Sequence, residues 1–329
     1  MGAYILRRLL MGIPTVLGVL LLLFLLFFVV AEPRDIAKRA LTEKAPEEQI
    51  LKWLETHGYG EIIEAKQEDG SMKKVLNPTP KHVLLGSYFK RMLLFDFGKA
   101  DLDDVAIADK LRMGVGPSLA LTVPAFVIGV FMSIAISLMV AMFRDTYVDR
   151  LTLVLCVIGM SVVVFVYIIG GQFYLGKVMR WHPISGWDPN YKFHFLMLPI
   201  IVGTLAGLGE RIRFYRTIMV NEISSDYIRT ARAKGLSDNA ILFKHLLKNA
   251  MIPILTGLVM AIPFLFLGAL LLESFFGIPG LGRLTVEAIT NNDFSTTSAM
   301  VYISSLLYII FNLLTDISYT FVDPRVRLQ

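Results

Sequence analysis

The chain has 329 residues, of which 55% are hydrophobic and 18% are charged, and its formal net charge is +5. Its mean hydropathy is +0.62, which excludes an ordinary soluble domain because such domains carry about 25% charged residues. The lysines and arginines lie between apolar runs rather than alternating with aromatic residues on one face, which argues against nucleic-acid binding. We therefore expect an integral membrane protein that binds lipid and no nucleic acid.

Six apolar segments have the length of membrane spans, since a helix needs about 20 apolar residues to cross a hydrocarbon core of about 30 Å. The first segment, 11–31, contains no charged residue and is longer than the core of a signal peptide, so we expect it to be retained. The other five segments are 117–142, 151–175, 195–209, 251–272 and 299–322. This pattern predicts an all-α integral membrane protein with six transmembrane helices.

The distribution of positive charge predicts the orientation, because cytoplasmic connections are enriched in lysine and arginine. With the N-terminus inside, the short outer connections hold only Lys177, Arg180, Lys192 and Arg283. The inner segments then hold Arg7, Arg8, Arg144, Arg150, Arg211, Arg213, Arg216, Arg229, Arg232, Lys234, Lys244, Lys248, Arg325 and Arg327. We expect both termini to be cytoplasmic.

The segment 32–116 is too long to enter this comparison, and we expect it to form an extracytoplasmic subdomain inserted between the first two spans. Pro46 and Gly58 bracket a predicted helix in "APEEQILKWLETHG", and Lys81 to Phe95 has apolar residues at helical spacing. The intervening "KQEDGSMKK" predicts a turn. The predicted organisation is a first span over 1–31, this subdomain, a five-helix core over 117–322 with a cytoplasmic loop over 210–250, and a cytoplasmic tail over 323–329.

No motif in the sequence predicts catalysis. The stretch "GQFYLGKV", Gly171 to Val178, imitates a phosphate-binding loop, but Val178 occupies the position that needs serine or threonine, and no strand precedes it. His182, Asp188 and His194 share a predicted outer loop with no compact metal-ligand spacing. We expect no catalytic residue, no metal ligand and no cofactor-binding residue in this chain.

Two acidic residues lie in or beside predicted spans, where a charge is costly and marks either a pathway or a structural pairing. Asp316 is an intramembrane acid about two turns from the predicted cytoplasmic end of the last span, where it can pair with an arginine. Glu273 lies at the outer end of the fifth span. We expect both to anchor structure.

The cytoplasmic loop contains the basic stretch "DYIRTARAKGLSDNAILFKHLLKNA", Asp226 to Ala250. A short helix before Gly235 and a second one capped by Ser237, with Ile241 and Leu246 among its apolar residues, would together form a projecting knob. Periodicity alone leaves open whether this knob docks into a groove on another protein or lies on anionic lipid headgroups.

Several motifs along the chain carry a resemblance to one family. "DYIRTARAKGLS" with "KNAMIP" resembles the coupling loop of permease subunits in ATP-binding-cassette (ABC) importers, although the glutamate and final proline of the general E-A-A-x-x-x-G and I-x-L-P pattern are absent. "AYILRRLL", "PSLALT", "LMLPIIV", "ESFFGIPGLGRLTVEAITNNDF" and "DPRVRL" resemble the B-type subunit of dipeptide, oligopeptide and nickel importers. The third span, "SVVVFVYIIGGQFYLG", lacks the proline that commonly follows its serine in those relatives.

The resemblance implies a transmembrane subunit of a bacterial inner-membrane importer for di- or oligopeptides or a related solute. It implies four kinds of partner: a second homologous permease subunit, two ATP-binding subunits that hold ATP and Mg, an extracytoplasmic solute-binding protein, and membrane lipid. The implied ATPase-coupling residues are Tyr227, Arg229, Thr230, Ala231, Arg232, Ala233, Lys234, Gly235 and Leu236. The implied outer loop near the binding protein contains Glu273, Phe276, Pro279, Gly280 and Gly282.

Two other functions are compatible with the residues alone. An ion-coupled secondary transporter without ATPase partners would also have six spans, but it would be expected to carry several paired intramembrane carboxylates. A membrane-anchored binding or signalling protein would place its function in the segment 32–116. The secondary transporter would move solute down an ion gradient by itself. The binding or signalling protein would depend on 32–116 and leave the basic loop dispensable.

Overall fold

The computed structural model describes residues 2–30, 32–41, 45–66 and 72–322. The predicted tail over 323–329, with Arg325 and Arg327, lies outside the described residues, as does the middle of the predicted turn in "KQEDGSMKK". The described chain as a whole is mainly helical. The first part consists of α1 (Gly2–Phe24), a π-helical continuation (Leu25–Val30), α2 (Pro33–Leu41), α3 (Glu47–Thr56), strands β1 (Gly60–Lys66) and β2 (Met72–Pro78), and α4 (Lys81–Leu93).

The remaining elements are all helical. They are α5 (Ile107–Met142), α6 (Tyr147–Ser161), α7 (Val164–Gly171) with a π-helical continuation (Gln172–Val178), α8 (Lys192–Ile223), α9 (Asp226–Ala233), α10 (Asp238–Ala240) with a π-helical continuation (Ile241–Leu246), α11 (Leu247–Leu267), α12 (Leu270–Phe276), α13 (Leu281–Thr290) and α14 (Phe294–Val322). Five helices in the described chain are long and apolar enough to cross a membrane, and the bent pair α6–α7 makes six if it is one span. The prediction of an all-α membrane protein with six spans is confirmed.

The described chain forms two compact units, Met1–Met113 with Leu284–Ile309, and Gly114–Arg283 with the chain from Ile310 onward. In the first unit, both helices predicted for the insertion are present as α3 and α4. The antiparallel pair β1–β2, which aligns Gly60 with Pro78 and Lys66 with Met72, was not predicted. Trp53 and Leu54 of α3 lie in a small apolar core together with Ile36 and Tyr59.

A buried carboxylate organises the first unit. The Asp101 side chain is 2% exposed, and its Oδ1 lies 3.2 Å from Nε2 of His57. Asp101 also accepts hydrogen bonds from the backbone N–H and the hydroxyl of Ser295, at 3.0 and 2.6 Å. The other ring nitrogen of His57, Nδ1, lies 2.8 Å from the Trp53 carbonyl oxygen. A carbonyl and a carboxylate both only accept, so both contacts are hydrogen bonds at the same time only when the ring is protonated to the imidazolium.

In the second unit, hydroxyl groups tie apolar helices together. Ser137 of α5 donates to the Ile212 carbonyl of α8 at 3.0 Å, and Thr204 of α8 donates to the Ala125 carbonyl of α5 at 3.2 Å. The Arg216 guanidinium binds both carboxylate oxygens of buried Asp149, at 2.5 and 2.7 Å, and so joins α8 to α6. This two-pronged pair fixes the start of α6 against the last turns of α8.

The third predicted span is broken in the structure. Helices α6 and α7 meet at an angle of 92°, and Val162 and Val163 between them have extended backbone angles. In an unbroken helix the Gly159 carbonyl would accept from the N–H of residue 163. Here the Tyr167 hydroxyl donates to that carbonyl at 3.0 Å. The bend therefore forms without a proline.

Two predicted span ends differ from the structure. The fourth span was predicted to stop near residue 209, but α8 continues to Ile223, so residues 210–223 of the predicted loop are helical. The fifth was predicted to reach residue 272, but α11 ends at Leu267 because Gly268 has a φ of +78°. Only glycine adopts that angle without strain, so the helix stops there.

The first unit should lose stability as the pH rises, because the pKa of His57 lies above its usual value. Burial lowers this pKa, while the hydrogen bond to Asp101, the Trp53 carbonyl and the charges of Asp101 and Asp104 raise it by more. The stability that the unit gains from protonated His57 is fully present below the unfolded-state pKa of about 6.5. It is lost as the pH rises through the folded-state pKa.

Hydrogen exchange of residues 47–59, corrected for the intrinsic rate at each pH, measures this effect. We expect faster local opening at pH 9 than at pH 6 in the native chain and no such difference in His57→Gln. His82→Gln, which changes an exposed histidine of α4, is the control. Equal pH dependence in both variants would contradict the assignment.

Candidate functional site

The predicted knob begins with helix α9 and ends in a specific cap. Ser225 precedes α9 with extended backbone, and Asp226 stands in the first turn, where a negative charge is favoured. At the other end the N–H groups of Gly235 and Leu236 bond to the carbonyls of Arg232 and Ala231. This is the Schellman arrangement, and it requires the φ of +75° that Gly235 adopts.

One face of α9 is buried against the ends of membrane helices. Ile228 is fully buried and Ala231 is 4% exposed. They belong to an apolar cluster with Leu138 of α5 and with Tyr215 and Met219 of α8. The same cluster contains Ile241 and Leu246 of the following helical segment and Ala250 and Ile254 of α11. Helix α9 is thus packed on three candidate spans.

The opposite face of α9 is open. The predicted coupling residues that are exposed are Arg229, Thr230, Arg232, Ala233, Lys234, Gly235 and Leu236. Two others face inward: Ala231 is buried, and Tyr227 is half-buried with its hydroxyl 2.6 Å from a carboxylate oxygen of Glu222. Burial and that carboxylate raise the pKa of Tyr227. The structure therefore divides the predicted set into residues that hold α9 and residues that remain available.

The predicted outer loop is built around a fully buried carboxylate, Glu273. Its Oε1 accepts from the Ser118 hydroxyl at 2.8 Å and from the Ala269 N–H at 3.0 Å, and its Oε2 accepts from the Arg283 N–H at 3.1 Å. Ser118 in turn accepts from the Leu281 N–H at 2.8 Å. Burial raises the pKa of Glu273, which lies outside the candidate spans, and these hydrogen bonds oppose the rise. The carboxylate thereby fixes the backbone on both sides of the loop.

Three glycines make this close approach possible. A Cβ on Gly268 would lie 2.5 Å from the Glu273 carboxylate, and one on Gly282 would lie 2.9 Å from it. A Cβ on Gly280 would collide with both that carboxylate and the Ser118 hydroxyl. Of the other predicted residues, Phe276 is buried in an apolar cluster and Pro279 is exposed.

The remaining predicted residues play no part in either assembly. Asp316 is half-buried in α14. The stretch that imitates a phosphate-binding loop is the π-helical continuation of α7, so a helix rather than a strand precedes it. The rings of His182 and His194 lie 5.2 Å apart. Within the described residues, no three histidine, cysteine, aspartate or glutamate side chains are grouped as metal ligands.

Sequence reasoning missed the partners of the predicted residues. Ser118 lies in the motif "PSLALT", but nothing in its spacing indicates contact with Glu273, which is 155 positions away. Arg216 was included among the charges of the cytoplasmic loop and Asp149 was not singled out, although the two residues form one buried pair. The sequence did contain a signal for this pair, since a carboxylate stands at the start of one span and an arginine near the end of another.

The structure is that of a multi-pass membrane protein. It has two structured elements outside its spans: helix α9, which packs on span ends, and the glycine-rich outer loop around Glu273. Residues 118–328 match the family described as "Binding-protein-dependent transport system inner membrane component". The chain belongs to this family. It is therefore a multi-pass inner-membrane permease component of an ABC importer, which works with an ATPase and a solute-binding protein and is not itself an enzyme.

Individual relatives agree along nearly the whole chain. A probable peptide ABC transporter permease of Sinorhizobium fredii is 31% identical over 99% of this chain and 100% of its own length. A glutathione transport system permease protein of Salmonella typhimurium is 31% identical over 99% of both chains. An oligopeptide transport system permease protein of Bacillus subtilis is 30% identical over 99% of this chain and 100% of its own. The family decides against the ion-coupled carrier.

Substituting Gly280 should destabilise the outer loop. In Gly280→Ala the new methyl group must displace the Glu273 carboxylate from its hydrogen bonds, and a buried group that loses them costs roughly 1–3 kcal/mol. We expect a lower melting temperature of the purified protein in detergent. The control is Gly170→Ala, where nothing lies within 4 Å of the added Cβ. Equal melting of the two variants would show that the loop does not depend on this contact.

Proposed function

We propose that this chain is one of two different permease subunits that together form the translocation path of a bacterial importer for peptides or a related solute such as glutathione. Two ATP-binding subunits, which hold ATP and Mg, drive the cycle, and an extracytoplasmic binding protein delivers the solute. The names of the relatives, which include peptide, oligopeptide and glutathione permeases, support this class of cargo. This chain binds no cofactor of its own.

The packing of α9 is the observation that carries the proposal. Its inner face is fixed to α5, α8 and α11 through Ile228 and Ala231. Its outer face offers small and basic side chains, including Ala233 and Lys234. A helix held in this way moves with the spans as one body, so a pull on its outer face by an ATPase reorients the spans.

The charge distribution supports an orientation with both termini cytoplasmic. In that orientation α9 and the Asp149–Arg216 pair face the cytoplasm, and the insertion over 32–116 faces the opposite side. The exposed Pro279 on the rigid outer loop then points to the side from which the binding protein arrives. We assign this loop to contact with that protein.

Enlarging Ala233 should uncouple the ATPases. The side chain is exposed on α9, so Ala233→Trp fills the outer face and leaves the Ile228 and Ala231 contacts in place. We expect the variant to retain the second permease subunit during purification in mild detergent but to lose the ATP-binding subunits and at least about 90% of ATP-driven uptake, since a bulky group in a closely fitted interface costs several kcal/mol.

Two controls accompany this experiment. Leu151→Trp places the same side chain at an exposed position of α6, and Gly235→Asn keeps a residue that tolerates the left-handed angle of the cap. Both should retain the ATP-binding subunits. Retention of these subunits by Ala233→Trp would contradict the coupling role of α9, and a native chain that purifies without any ATPase would contradict the importer itself.

The orientation can be measured by labelling single cysteines. The chain has one cysteine, Cys156, which is buried, so Cys156→Ala provides a cysteine-free background. We expect a membrane-impermeant maleimide added outside to label Glu61→Cys in the insertion and to label Lys234→Cys only after the membrane is opened. Both native residues are exposed. The reverse pattern would overturn the proposed orientation.

A further inference from the structure

Arg211 was predicted to lie in the cytoplasmic loop, but it is part of α8, and its side chain turns back along that helix. Its Nε donates to the Gly207 carbonyl one turn earlier, at 3.0 Å. The guanidinium lies beside Gly129 of α5: a Cβ built on that glycine would be 2.5 Å from Nη1 and 3.0 Å from Nη2. The cation therefore occupies a slot between two helices of the second unit.

This slot lies deep in the predicted membrane region. Gly129 is separated by about 20 Å of helix from Met142 at the end of α5 and by about 18 Å from Pro117, where its apolar stretch begins, at 1.5 Å per residue. The hydrocarbon core is about 30 Å thick. The guanidinium is thus near mid-depth, beyond the reach of lipid headgroups at either surface.

Two glycines keep the slot open. A Cβ on Gly207 would collide with the guanidinium, as would one on Gly129. The arginine thus fills the space that side chains at these two positions would otherwise take. Substituting either glycine by alanine would move the cation while keeping its charge.

The outer end of the guanidinium remains available. Nε is used by Gly207, but within the described part of the chain no hydrogen bond or ion pair engages Nη1 or Nη2. Arg211 is only half-buried, so these groups are reachable. An unpaired cation at mid-depth is costly against lipid, and such residues face a cavity or a partner of opposite charge.

We propose that Arg211 is a binding residue for the carboxylate of the transported solute at the middle of the translocation path. The inference rests on the proposed function, because peptides and glutathione share a free carboxylate. The guanidinium presents two parallel donors whose spacing matches the two oxygens of a carboxylate. The glycine slot holds the guanidinium itself, so that its free donors keep one direction.

The test compares two forms of one solute. The complete transporter with its binding protein is reconstituted in vesicles, and ATP-driven uptake is measured for tri-alanine and for tri-alanine with an amidated C-terminus. The binding protein is the same for every variant, so a change in the ratio of free-acid to amide uptake must be caused by the permease. We expect Arg211→Gln to lower this ratio at least about tenfold, since a hydrogen-bonded charge pair contributes about that factor or more.

Matched variants separate position from charge. Gly129→Ala should lower the ratio as Arg211→Gln does, because it displaces the guanidinium. Arg211→Lys should lower the ratio less, since a lysine keeps the charge but not the two-pronged geometry. Gly116→Ala, with nothing within 4 Å of the added Cβ, and Arg213→Gln, which removes an exposed charge from the same helix, should leave it unchanged.

Each other outcome has a distinct meaning. An unchanged ratio in Arg211→Gln, with peptide uptake intact, would overturn the carboxylate site and leave the proposed function standing. Loss of the second permease subunit from purified Arg211→Gln would overturn it too, because the cation would then pair with an acid of that subunit. A native transporter that hydrolyses ATP but takes up neither peptide would overturn the peptide cargo and, with it, this site.

Discussion

Inside a hydrocarbon layer a polar atom that does not line a cavity must find its partner within the protein, and this requirement shapes the membrane core. The hydroxyls of Ser137 and Thr204 bond carbonyls of the neighbouring helix, so α5 and α8 are joined by polar contacts that lipid cannot replace. Asp149 and Arg216, which face the cytoplasm in the proposed orientation, also satisfy each other. Apolar side chains alone would give little preference for one helix neighbour over another in lipid. The polar contacts therefore specify which helices meet.

Helix α8 connects the functional elements of the second unit. It carries Arg211 in the glycine slot, Arg216 in the pair with Asp149, and Met219 in the cluster beneath α9. Only Ser224 and Ser225 separate its end from α9. A movement of α9 is thus transmitted along one continuous helix to the level of Arg211. Cargo and ATPase, on our proposals, act on the same rigid element.

Much of this architecture follows from the sequence, and the rest depends on contacts between distant residues. Hydrophobic length predicted the spans, and Gly235 with Ser237 predicted the two helices of the knob. The strands β1 and β2 were missed because their charged residues match the composition of a solvated turn. The end of α11 and the position of the Arg211 guanidinium were missed because each depends on contacts outside the local pattern. Gly268 has a positive φ next to the Glu273 carboxylate, and Gly129 leaves space for the guanidinium.

The bend between α6 and α7 has a different physical basis from one made by proline. A proline ring removes an N–H permanently, so the hydrogen bond that this group would make is lost at any angle of the helix. Here Val162 and Val163 keep their N–H groups, and the Tyr167 hydroxyl occupies the carbonyl that one of them would otherwise use. This exchangeable hydrogen bond and the packing around it hold the corner. The chain therefore keeps, at this corner, the N–H groups that a straight helix would use, which a proline would have removed.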